Sequence, residues 1–213
     1  AYAGAEGPIA SLGGGVNYTD IYNMSASGIA EGARVNPSGL AADPDQAIDI
    51  DSAATVTAVV VSGLNSALTL PGPDDGGTEL SVGGYFGGLY LDNYGRAYID
   101  DRAVVASATD VTIDALTDTQ VLAVVAEGGE ADDVAVDGAF SLIILGHETA
   151  AFVEERATVD AGEDVRLTAT NRNLVVNVAG AQAIGNDVGV GLAAAVNVML
   201  RPRSLEDLAE VDE

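Results

Sequence analysis

The sequence predicts an all-β repeat solenoid, most simply a parallel β-helix, with an antiparallel β-sandwich or meander as the alternative. Three observations point there. The chain repeats itself: Ala97-Tyr98-Ile99-Asp100-Asp101-Arg102-Ala103 returns 54 residues later as Ala151-Phe152-Val153-Glu154-Glu155-Arg156-Ala157. Apolar and polar residues alternate, as in Val111-Thr112-Ile113-Asp114-Ala115 and Val165-Arg166-Leu167-Thr168-Ala169. A period of two is that of a strand with one buried face. The apolar residues are mostly Ala and Val, with 26 Gly and only 5% aromatics. Such small side chains suit a narrow interior in which facing sheets approach closely.

The elements follow in order. Ala3-Gly4-Ala5 looks like Ala179-Gly180-Ala181, and Gly13 to Tyr18 looks like the run ending Val196-Asn197-Val198. The chain therefore enters and leaves at nearly the same phase of the repeat. Gly28-Ile29-Ala30-Glu31 takes the place of Ala97-Tyr98-Ile99-Asp100. Ile50-Asp51-Ser52-Ala53 resembles Ile113-Asp114-Ala115, and Val56 to Val61 resembles Val121 to Val125. Matching these two copies needs about ten extra residues. Leu64 to Gly77, with its Pro71-Gly72-Pro73-Asp74-Asp75-Gly76-Gly77 run of turn formers, reads as the inserted loop (about 64–78). Leu80, Val82, Gly84 and Phe86 then fall on Val134, Val136, Gly138 and Phe140.

The last unit holds four strand-like runs: Ala151–Thr158, Asp164–Thr170, Leu174–Ala183 and Val188–Met199. At about three strands per coil, a unit would be two or three coils. Under the meander alternative, Gly185-Asn186-Asp187 and Asn171-Arg172-Asn173 are hairpin turns. Residues 1–200 read as one β-rich repeat domain, and 201–213 as an acidic C-terminal tail.

Charge narrows the partners. There are 33 acidic residues against 8 basic ones, all Arg, for a net charge of −25. Nucleic-acid backbones need Lys and Arg, so no nucleic-acid partner is expected. The same charge disfavours anionic membranes and keeps a surface rich in strand edges from random association. With no Cys there is no disulfide or thiol chemistry. No stretch is apolar for long enough to form a transmembrane segment, and no signal peptide is visible from Ala1 onward.

The recurring pattern resembles the repeats of large bacterial filamentous adhesins, the leukotoxin-like and haemagglutinin-like surface proteins. The matching segments are Ala151-Phe152-Val153-Glu154, Gly162 to Ala169, Val178-Ala179-Gly180-Ala181 and Val188 to Val198. The resemblance implies a secreted, elongated, β-rich repeat protein on a prokaryotic cell surface, extracellular, with no catalytic residues.

No enzyme is therefore expected. Asp100/Asp101 and Glu154/Glu155 occupy one repeat position, each followed by Arg, which fits a surface ion-pair ladder better than a catalytic dyad. His147 is the only histidine and reads as a corner residue. No cofactor is required. Ca²⁺ is the ligand that the oxygen-rich clusters suit best: Asp43, Asp45, Asp49 and Asp51, and Glu130, Asp132 and Asp133 near Asp137. Tyr85, Tyr90 and Tyr94 are candidate ligand-binding residues for a carbohydrate or cell-surface ligand. The expected function is self-assembly end to end into a homopolymeric filament. Its candidate interfaces are Ala3, Gly4, Ala5 and Val16 at one end and Val188, Val190, Val196 and Val198 at the other. The alternative is an adhesin segment that binds a glycan or host surface.

Overall fold

Alternation of apolar and polar residues continues in this chain for about twenty residues at a time, so its strands are unusually long. A computed structural model describes residues 2–5, 10–36, 45–63 and 79–200. The strands are β1 (Tyr2–Ala5), β2 (Ala10–Ile29), β3 (Arg34–Val35), β4 (Ile48–Ser62), β5 (Leu80–Ile99), β6 (Val104–Ser107), β7 (Val111–Ala131), β8 (Val134–Val153), β9 (Thr158–Ala161), β10 (Val165–Gly185) and β11 (Val188–Leu200). There is no helix among the described residues. The inserted loop and the acidic tail lie outside them.

The architecture is a flattened parallel β-solenoid. One sheet runs β1-β2-β5-β8-β11, a second runs β10-β7-β4, and a short third runs β3-β6-β9. Among the described residues every pairing is parallel except that of β1 with β2. A coil is one long strand, a tight turn, a short strand and one long return strand. The 54-residue unit is thus a single coil, not two or three. Ala151–Thr158 is split by a turn, whereas Asp164–Thr170 and Leu174–Ala183 belong to one strand, β10. Asn171-Arg172-Asn173 lies inside β10 and makes no hairpin. Nor does Gly185-Asn186-Asp187: it carries the chain from the second sheet to the first, stacked on the turn below through Asn186 N–H to Asp132 O at 3.1 Å. Consecutive long strands face each other across the core instead of pairing, which removes the meander.

Register confirms the period and adjusts the first copy. β8 pairs with β5, and β10 with β7, at the offset of 54 read from the sequence (Leu80 beside Val134, Val111 beside Val165). Ile50 and Asp51 lie beside Ile113 and Asp114 as expected. Gly28, however, lies beside Tyr98, and Val16 stands in the row of Phe86, Phe140 and Ala194, not in that of Val196. β1 is an antiparallel strand on the outer edge of β2, Tyr2 beside Gly15, and not a copy of the end of β10.

Two apolar clusters fill the interior, one around Leu89, Leu91, Val121, Ile143 and Leu145, the other around Ile99, Val105, Val111 and Ile113. Each is a set of rows, with like residues stacked coil on coil. Between them runs a polar band. Buried Asn93 accepts from Asn23 Nδ2 at 2.9 Å and donates to Thr119 Oγ1 at 2.9 Å and Ala54 O at 3.1 Å. These bonds meet the desolvation cost of a buried amide and fix how the sheets face one another. The interior is narrow: a Cβ on Gly95 would lie 2.8 Å from Leu116 O across the core.

Candidate functional site

The two ends of the stack differ. In the second sheet, Val111 and Ile113 are 0% exposed, while Val165 and Leu167, their neighbours in the next coil, are 47% and 45% exposed. Among the described residues β10 pairs only with β7, and nothing pairs with its other edge. β11 is exposed along almost its whole length. At the opposite end the inward residues of β4, among them Ile50, Ala54 and Val56, are buried. β4 is also an edge strand, paired only with β7 among the described residues, and it packs against β2 and β5 as β10 packs against β8 and β11; β1 pairs along β2 from Leu12 to Gly15. Among the described residues, the β10 edge is thus one of unpaired backbone groups beside small and branched apolar side chains, which is a template for strand addition.

The interface residues expected from the sequence divide between two surfaces. Val188, Val190, Val196 and Val198 alternate with Gly189, Gly191, Ala195 and Asn197 along β11. The inward row of β8 is Ala135, Asp137, Ala139, Ser141, Ile143 and Leu145, all buried. Parallel register puts Gly189, Gly191, Ala193 and Ala195 on that inward side. The four valines therefore project from the outer face of the first sheet, as Val16 does on β2. Ala3, Gly4 and Ala5 lie on β1, at the free edge.

That outer face is apolar over five consecutive rows, from the row of Ala10 to the row of Tyr18, with no acidic or basic side chain. Its middle row is Gly14, Gly84, Gly138 and Leu192. The glycines floor a groove of about 910 Å³ walled by Leu12, Val16, Phe86 and Phe140 and stopped at one end by Leu192. Phe86 and Phe140 stack with centroids 5.6 Å apart and planes 12° from parallel.

Inside the coil, Asp137 is 2% exposed and packs over two glycines: a Cβ on Gly83 would lie 2.2 Å from its Oδ1, and one on Gly129 2.3 Å from its Oδ2. Glu127 is also buried nearby, its Oε1 3.4 Å from the same Gly83 position. Burial pushes the Asp137 carboxyl above its ordinary value, and a hydrogen bond from the Gly129 amide offsets part of that rise. Oδ2 has no hydrogen-bond partner. Alternation and glycine at the equivalent positions of other coils were the signals in the sequence that a side chain here points inward.

The other candidates resolve as follows. His147 is not at a corner; it sits within β8, beside Asn93, half-buried and with Nδ1 lacking a partner. Asp43 lies outside the described residues. Asp45, Asp49, Asp51, Glu130, Asp132 and Asp133 are all exposed, and among the described residues no three acidic or histidine side chains converge on a common point. Tyr85 faces inward toward the end of β4, within 3.1 Å of where a Cβ on Gly63 would be. Tyr94 is 4% exposed beneath Tyr22, with ring centroids 5.6 Å apart. Burial, with Asp92 adding to it, pushes its phenol up to about 12. Tyr90 is half-buried on the outer face. The three tyrosines thus form no common platform.

The acidic pairs before Arg make the expected ladder. Arg156 donates through Nε to Asp101 Oδ1 at 2.9 Å, and Arg102 reaches Glu31 at 2.7 Å, so one chain of charges ties three coils together at the corner. Burial raises the Asp101 carboxyl, but hydrogen bonds from Arg102 and Arg156 outweigh it and hold the group below its ordinary value.

No protein-family model, no curated protein and no solved structure matches the chain.

Proposed function

We propose that this chain is a non-enzymatic structural module of an extracellular bacterial surface fibre, which grows by adding coils end to end. The observation that carries this reading is the open coil at β10 and β11. Val165 and Leu167 are about half exposed there, whereas their neighbours Val111 and Ile113 on β7 are fully buried. A strand laid against that edge would pair its backbone groups and complete these rows, contributing about 1 kcal/mol for each half-exposed side chain covered, besides the hydrogen bonds. Net charge of −25 disfavours association through the acidic surfaces, and the apolar rows at this edge carry no such penalty. The resemblance to filamentous adhesin repeats supports an extracellular setting, and Ca²⁺ would act by bridging exposed carboxylates between copies.

The test is negative-stain electron microscopy of the purified chain with and without millimolar Ca²⁺. Regular filaments are expected, and they should vanish in the double variant Val165→Lys with Leu167→Lys while the circular dichroism spectrum is unchanged. Dispersed particles from the native chain under both conditions would sink the proposal.

A further inference from the structure

The outer face of the first sheet carries a second contact, distinct from the open edge. In a chain with 33 acidic residues, five adjacent rows across four strands carry none. Soluble chains rarely leave a broad apolar face uncovered. The groove within it has only backbone near its floor: a Cβ on Gly84 would meet nothing closer than Gly138 O at 3.7 Å, and one on Gly138 nothing closer than Leu192 O at 3.9 Å. At the end of that glycine row stands Leu192, 68% exposed, at the position that is Gly14 on the far strand β2.

We infer that this face binds the same face of a second copy. The uncharged rows narrow the occupant: a carboxylate buried unpaired in this contact would be costly, and the copy's own face has none in these five rows. Shape selects the symmetry. A two-fold axis parallel to the strands, midway between β5 and β8, sets Leu192 of each copy over Gly14 of the other. The same operation sets Gly84 over Gly138 and Phe86 over Phe140. Each leucine is a knob and each glycine end of the groove is its hole, so the row is self-complementary. Sheets packed face to face with aligned strands stand about 10 Å apart, a gap that these side chains fill. The contact leaves the open edge free, so it is independent of end-to-end growth. In a fibre it would join two filaments side by side.

The experiment is sedimentation velocity on the Val165→Lys/Leu167→Lys chain, in which end-to-end growth is blocked. A dimer is expected. Leu192→Asp should weaken it by about 30-fold or more, since it drives an unpaired carboxylate into an apolar contact. Gly84→Leu, whose Cβ would meet nothing closer than Gly138 O at 3.7 Å within one chain, should block it by standing against Gly138 of the other copy in the middle of the row. The chain has no cysteine, so Gly14→Cys with Leu192→Cys should give a disulfide-linked dimer on mild oxidation, and neither single variant should. Within one chain these positions are three strand spacings apart, about 14 Å, too far to link. A monomer at every concentration, or a dimer unchanged in Leu192→Asp and Gly84→Leu, overturns the inference. So does a monomer that binds phosphatidylcholine vesicles through this face, which would assign the face to lipid. If filaments form in the native chain and no dimer forms here, only this inference falls.

Discussion

Val111 and Val165 are the same residue in the same row of the same sheet, yet one is fully buried and the other is 47% exposed. Ile113 and Leu167 repeat the contrast two residues on. The local sequences are alike, Asp110-Val111-Thr112-Ile113 against Asp164-Val165-Arg166-Leu167. The difference lies in the neighbours. β7 has β4 on one side, β10 on the other, and β5 and β8 opposite; β10 has β8 and β11 opposite but, among the described residues, a paired neighbour on one side only. A coil of this solenoid therefore does not own its core. Each row is closed by the coil that follows, which is why stability here is a property of the stack.

The largest expected effect comes from making the same truncation in both places. Ile113→Ala should cost about 2–5 kcal/mol, as for a fully buried side chain. Leu167→Ala should cost under about 1 kcal/mol in dispersed chains, where half of the side chain already meets water. Urea denaturation of the two variants gives the comparison. Equal losses in dispersed chains would mean that the last row is already closed, and the contrast between coils would fail.

A second effect separates the interior of β8 from the edge strand β11. Asp137 on β8 lies beside Gly191 on β11 in one row. Its carboxyl is raised above the ordinary value of 3.8, so the folded chain holds this proton at pH values where the unfolded chain has released it. The folded chain then binds more protons than the unfolded one, and stability falls as pH rises from about 3.8 through the raised value. Asp137→Asn should flatten that decline in a series of melting temperatures and leave the chain more stable at neutral pH. A variant with the native slope would show that another group carries it.

The smallest effect concerns the corner ladder. Arg156→Gln removes one exposed link between the second and third coils. Its influence on the melting temperature should be slight at low salt and should vanish in 1 M salt, where charges are screened within about 3 Å. An effect that survives high salt would point to packing by the arginine stem instead.

Much of the fold is legible in the sequence. A period repeated with conservative changes, Tyr98 to Phe152 and Ile99 to Val153, requires that equivalent residues stack, and they do: the two rings lie 5.6 Å apart, 13° from parallel. Exchange of Asp for Glu before a shared Arg identified a ladder for the same reason. Coil size was not legible, because Asn171-Arg172-Asn173 is polar enough to resemble a turn. In β10 it continues as strand, with Asn171 and Asn173 in the same rows as buried Thr117 and Thr119.

The sequence by itself determined the strand period, the repeat, the stacking partners of most residues and the acidic character of the surface. These follow from local alternation and from identity at a fixed offset, which any arrangement of coils must respect. For β11, only packing settled which face is the inside. From Val188 to Val196 of β11 both faces are uncharged, Gly-Gly-Ala-Ala on one and Val-Val-Leu-Ala-Val on the other, so alternation names two faces without ranking them. Burial by hydrophobicity would place the valines within. The sheets approach too closely for that: a Cβ on Gly189 would lie 2.5 Å from Ala183 O, and one on Gly191 2.7 Å from Ala181 O. Steric exclusion therefore puts the glycines and alanines inside and turns Val188, Val190 and Leu192 outward.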